Sequence, residues 1–150
     1  MAKNANAADQ MRGLKLWAGI GEVIFVTLKL HGVTASTDVT VPATDTGSHE
    51  ADIVVDTWGE AADLERFGLI RGRHAVRVGA DQPTEIGAGI RVMIGINDGY
   101  PGVTAKGAAL VIDAPRDTWD IEREKVYGDR MIAARKAGVR WLFPPTGGHG

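Results

Sequence analysis

Ile90-Arg91-Val92-Met93-Ile94-Gly95-Ile96 is the cleanest two-residue repeat in the chain, with Ile90, Val92, Ile94 and Ile96 all on one side. Successive side chains of a strand point to opposite faces, so the stretch predicts a core strand. Downstream, Asn97-Asp98-Gly99-Tyr100-Pro101-Gly102 concentrates turn-forming residues and predicts a reversal. Ala108 to Asp113 then returns as a second strand. Neighbouring strands joined by turns, rather than separated by helices, predict antiparallel pairing.

Upstream the same alternation recurs in weaker form. Leu14-Lys15-Leu16-Trp17 alternates until Gly19 and Gly21 break it. From Glu22 to His31, Ile24, Val26, Leu28 and Leu30 share one face. Val23 and Phe25 make the first half of that run apolar on both faces, which predicts that this end is covered twice. Thr37 to Val41 sets Val39 and Val41 inward and Asp38 and Thr40 outward. Residues 42–50 read as a polar loop, and Ala51 to Asp56 as a strand facing in through Ile53 and Val55. Arg73 to Val78 is another strand, and Gly79 to Glu85 a loop around Pro83. The count is about seven strands.

Two helices complete the reading. Thr57-Trp58-Gly59-Glu60 has capping-box spacing and predicts a short helix near 58–67, stopped by Gly68. Pro115-Arg116-Asp117-Thr118 and Arg135-Lys136-Ala137-Gly138 have the form of a helix start and stop, placing a long C-terminal helix near 117–137. Its apolar residues form no single stripe. Gly128 in its middle costs roughly 1 kcal/mol relative to alanine. That glycine reads as a close packing point, or the helix touches its own sheet on one side and a neighbour on the other. The fold class is therefore α+β: a mainly antiparallel sheet, sandwich or small barrel, with one short and one long helix. The divisions are a polar N-terminal arm over 1–12, one globular domain over 13–138, and a C-terminal contact tail over 139–150.

Composition narrows the function. The 150 residues suit one domain, at 44% hydrophobic and 24% charged. A net charge of −2, with both signs spread along the chain, argues against nucleic-acid and anionic-membrane partners. The absence of cysteine excludes disulfides, thiolate metal sites and cysteine nucleophiles. Met1 to Asn6 lacks the apolar stretch of a signal peptide, and Ile20 to Leu30 is too short to span a bilayer, so synthesis in the cytoplasm is expected.

No chemical motif holds together. Gly87-Ala88-Gly89 lacks the third glycine and following helix of a dinucleotide fingerprint. Asp45, His49, Glu50 and Asp52 cluster around the 42–52 loop, but their spacing matches no familiar metal site. Pro42 to Ser48 followed by Asp52 resembles the first motif of the trimeric dUTP pyrophosphatases with the spacing off by one, and that family's other motifs are absent. Ser36 and Ser48 lie in no nucleophile elbow. Asp113, Asp117 and Asp120 sit where a helix dipole would favour acids. No catalytic residue, cofactor or metal is assigned. A small enzyme or ligand-binding module, with its site near the 42–52 loop, is kept as an alternative.

The ends read as contact surfaces. Val139-Arg140-Trp141-Leu142-Phe143-Pro144-Pro145 sets three large apolar side chains beside two prolines. The candidate interface comprises Leu14, Trp17, Trp119, Tyr127, Met131, Trp141, Leu142 and Phe143. A polar arm, a Gly/Val/Ala/Thr-rich β domain, near-neutral charge and such a tail together resemble the small structural proteins of tailed-bacteriophage virions. The resemblance is one of style over the whole chain. It implies a non-enzymatic assembly protein: a capsid decoration (cement) protein first, a tail-tube or neck component second. It also implies partners that are copies of itself or other virion proteins, and a final location in the virion.

Overall fold

A computed structural model describes residues 14–29, 34–41, 49–95, 103–104 and 106–139. The isoleucine repeat forms β7 (Ile90–Ile94), with Ile90, Val92 and Ile94 all buried. On one side it forms a hairpin with β6 (Thr84–Gly87); on the other it pairs with β9 (Gly107–Asp113). β9 also pairs with the short β8 (Val103–Thr104) and with β1 (Leu14–Gly19). These five strands form one antiparallel sheet. Ala108, Leu110 and Ile112 of β9 extend the apolar face begun by β7.

The second sheet runs β10-β2-β3-β4-β5, antiparallel throughout: β10 (Trp119–Arg123), β2 (Val23–Leu28), β3 (Ala35–Thr40), β4 (Glu50–Gly59) and β5 (Gly72–Gly79). Its inner face carries Ile24, Val26, Leu28, Val39, Ile53, Val55 and Val78, which meet the first sheet in one apolar core. Each such side chain taken from water contributes about 1.5–3 kcal/mol, so this sandwich contact is the main source of stability. Helix α1 (Ala61–Arg66) closes one end with Leu64, and Leu69 follows it inward. Phe67 meets the edge of Trp119 at 5.4 Å.

A short corner joins the two sheets. Gly21 takes φ +85°, and the Glu22 N–H bonds Gly19 O, turning the chain from β1 into β2. The Glu22 carboxylate works in two directions: Oε1 accepts from the Gly19 N–H at 3.0 Å, and Oε2 accepts from Arg123 at 2.8 Å.

The long helix is shorter than its start signal predicts. Residues 119–123 are β10, and α2 spans Glu124–Lys136. Pro115 to Thr118 is a turn: the N–H groups of Thr118 and Trp119 both bond Pro115 O. The period-two pattern here is masked by charge, because Trp119 and Ile121 face Leu28 and Val26 in register while Asp120 and Glu122 point away. From Glu124 onward the helix is regular, with Tyr127, Met131 and Ala134 on its sheet side. The stop falls where it was expected. Gly138 is left-handed at φ +74°, and the Val139 N–H bonds back to Ala134 O.

The short helix likewise begins late, because Thr57 and Trp58 belong to β4. Glu60 is its N-cap and makes no side-chain capping bond. Thr57 instead meets the Thr37 hydroxyl at 3.3 Å inside the sandwich. Gly68, at φ +68°, ends the helix as expected. Among the described residues ten strands stand against the about seven predicted, the additions being β6, β8 and β10. The first two are too short to alternate legibly.

Gly128 is not a close packing point, since a Cβ there meets nothing within 4 Å. Gly59 is one: at φ +149°, a Cβ would lie 2.5 Å from Thr34 O and 2.6 Å from Ala35 Cα. Gly128→Ala is therefore expected to raise unfolding free energy by about 1 kcal/mol. Gly59→Ala should lower it by about 2 kcal/mol or more. Urea denaturation of the two variants beside the parent protein measures both.

Candidate functional site

The expected contact residues separate into three groups. Leu14 and Trp17 are exposed on β1, at 48% and 36%. Trp119 and Tyr127 are buried within the chain, and Met131 is half-buried against Phe25, Trp58 and Tyr127. These three are therefore internal packing, because the sheet needs their apolar surface on β10 and under α2. Trp141, Leu142 and Phe143 lie outside the described residues, as does the 1–12 arm.

Only the end of the 42–52 loop is described. Residues 42–48 lie outside the described residues, His49 is exposed, and Arg77 binds both Glu50 (3.0 Å) and Asp52 (3.3 Å). Among the described residues no three His, Asp or Glu side chains are grouped to hold a metal. Gly87, Ala88 and Gly89, all at positive φ, form the turn between β6 and β7. Asp113 pairs with Arg91 at 2.6 Å, and Asp120 with Arg130 at 2.8 Å.

The most unusual group is one the alternation pattern placed on the outward face. Asp38 is 5% exposed on the outer face of the second sheet. In register it lies between Phe25 of β2 and Asp56 of β4, and Asp56 lies opposite Arg73 of β5. Oδ2 accepts from the Trp58 indole N–H at 2.5 Å, and Oδ1 lies 2.5 Å from the Ser36 hydroxyl. Trp58, Phe25 and Tyr127 form a second apolar cluster, in which Tyr127 stacks flat on Phe25 at 3.8 Å. The predicted double covering of Val23 and Phe25 is this cluster. It was the available sign that Asp38, opposite Phe25, would be covered too.

Burial pushes the Asp38 carboxyl up from 3.8 to about 7. The hydrogen bonds from Ser36 and Trp58 oppose that rise, and the neighbouring Asp56 adds to it. The network accommodates the neutral acid well. With a proton on Oδ1, Asp38 donates to Ser36 Oγ. The single Ser36 proton then serves Val26 O, 3.3 Å away. Asp38 also borders a shallow groove of about 250 Å³ lined by Val23, Phe25, Thr40, Val54, Asp56 and Arg73. Asp56 and Arg73 are paired across it at 3.0 Å. Ser36 is fully buried, so no substrate reaches its hydroxyl. The cluster is suited to holding a proton near neutral pH, not to acyl transfer.

A second feature lies at the opposite sheet. β1 is the last strand of its sheet, and among the described residues no strand pairs along its other side. Leu14, Trp17 and Ile20 are exposed along or beside it, at 48%, 36% and 44%. Lys15 is the only charged residue of the strand. Exposed edges of this composition are templates for pairing with another chain.

The folded state holds the Asp38 proton more tightly than the unfolded chain does. Its contribution to stability is thus complete below about pH 4 and declines as pH rises toward 7, by at most about 1.4 kcal/mol per unit, with no further change above. Asp38→Asn should remove that decline, so its stability advantage over the parent protein is larger at pH 8 than at pH 5. Chemical denaturation at the two pH values checks it; equal differences would refute the assignment. No family model, no curated protein and no solved structure matches this chain.

Proposed function

We propose that this chain is a non-enzymatic structural protein that assembles with copies of itself, in the manner of a tailed-phage capsid decoration protein. A tail-tube or neck component would use the same surface. The observation that supports the reading is the β1 edge, with Leu14, Trp17 and Ile20 exposed beside a line of backbone that no described strand shares. Two copies of β1 related by a two-fold axis bring apolar edge to apolar edge. The net charge of −2 gives little repulsion between copies.

One such contact is weak. Three partly exposed side chains contribute only a few kcal/mol at about 25 cal/mol per Å², against an association cost of about 4–15 kcal/mol. Repetition on a symmetric lattice overcomes this, because each further contact forms at high effective concentration. A surface-acting protein of this kind needs a rigid domain and a self-complementary edge, not a catalytic pocket. The Asp38 groove favours the second reading, a ligand-binding module, in which the chain acts as a monomer.

Light scattering across a concentration series tests the reading. The parent protein is expected to associate as concentration rises, and Leu14→Lys with Trp17→Lys is expected to stay monomeric with an unchanged melting temperature. A parent protein that stays monomeric at millimolar concentration would overturn self-assembly through β1.

A further inference from the structure

Buried indole N–H groups ordinarily find an acceptor. Trp58 has one in Asp38, at 2.5 Å, whereas Trp119 has none. Among the described residues three buried side-chain atoms lack a hydrogen bond. Two of them, Glu122 Oε1 and Arg130 Nε, belong to groups already joined as an ion pair at 3.3 Å. The third is Trp119 Nε1, on a residue only 3% exposed. Trp119 also lines a groove of about 290 Å³, where the outer strands β1 and β10 of the two sheets meet the Pro115 turn. We propose that this groove binds a small organic oxyanion, a carboxylate or phosphate monoester on a short apolar body. One of its oxygens accepts from the Trp119 indole N–H while Lys29 and Arg116 hold its charge.

The lining suits that class of ligand. Leu14, Ala114 and Ile121 supply apolar walls beside the Trp119 ring, and Lys29 and Arg116 bring positive charge. Lys29 donates to Arg116 O at 2.7 Å and lies 3.5 Å from Asp120, so its ammonium, with three N–H groups, has one more to offer. Both acids of the lining are matched already, Asp113 by Arg91 at 2.6 Å and Asp120 by Arg130 at 2.8 Å. With those arginines counted, and Glu122 set against Arg130, positive charge outnumbers negative around the groove. A cation entering here would have to break one of these pairs, and an anion need not.

Size narrows the ligand further. The groove has room for about ten groups of the size of a water molecule, at about 30 Å³ each, which fits a small acid rather than a nucleotide. A bare inorganic anion would leave the apolar walls uncovered, and an uncharged ligand would leave the cations unanswered. The site is formed by one copy of the chain, so it goes beyond assembly through β1 and is tested apart from it.

The indole N–H resonances of the full chain, labelled with heavy nitrogen and held in phosphate-free buffer, provide the test. Benzoate, phenyl phosphate and uncharged benzyl alcohol are titrated separately to tens of millimolar. The Trp119 indole signal is expected to move saturably with benzoate or phenyl phosphate while the Trp58 signal stays in place. Movement with benzoate assigns a carboxylate ligand, and movement with phenyl phosphate alone assigns a phosphate ester; either supports the site. Lys29→Met, which keeps the apolar stem and removes the charge, should weaken binding by about tenfold. Trp119→Phe, which removes the N–H, should weaken it by a similar factor in calorimetry, and Lys29→Met serves alone if that variant does not fold. Three results would overturn the proposal: no saturable movement with either anion, equal binding of benzyl alcohol, or unchanged affinity in Lys29→Met.

Discussion

The register of β9 is the constraint on which the first sheet depends. Leu110 stands opposite both Leu16 of β1 and Ile94 of β7, and Ile112 opposite both Leu14 and Val92. A slip of one residue would turn Ala109 and Val111 inward and expose Leu110 and Ile112, since side chains alternate strictly between faces. β1, β7 and β8 all read their positions from this one strand. Once it is set, the inner face of the first sheet is fixed, and the second sheet has one apolar surface to cover.

The second sheet solves a harder problem, because it is covered on both faces. Its inner face meets the sandwich core, and part of its outer face meets α2 through Phe25, Trp58 and Tyr127. A polar residue on that outer face must then be satisfied locally or excluded. Asp38 is satisfied by Ser36 and Trp58, at the cost of being difficult to ionise. Stability and chemistry meet at this point: the group that orients the aromatic platform is also the one whose charge state the platform disfavours.

Much of this arrangement was legible in the residues. Ile90 to Ile94, Ala108 to Asp113 and the run after Glu22 alternate clearly because one face of each lies in an undivided core. β10 was hidden because its outward residues, Asp120 and Glu122, are charged and its start carries helix-like caps. The turn at Pro115 satisfies the same N–H groups that a helix start would. Asp38 lies on the outward face as expected, but its burial was hidden for a different reason. Period two says which residues share a face but not whether a later segment covers it, and the covering residue Tyr127 lies 89 positions downstream in the chain. Of the residues expected to make contacts, Leu14 and Trp17 are exposed, whereas Trp119 and Tyr127 are buried within the chain.

Glu22 gives the two-sheet corner a meaning beyond chain reversal. One of its oxygens holds the Gly19 amide at the end of β1, and the other holds Arg123, the residue from which α2 begins. A single carboxylate therefore ties the end of an edge strand in one sheet to the N-cap residue of the helix on the other. Two segments about a hundred residues apart in the chain share one anion at this corner, so removing its charge would loosen both at once.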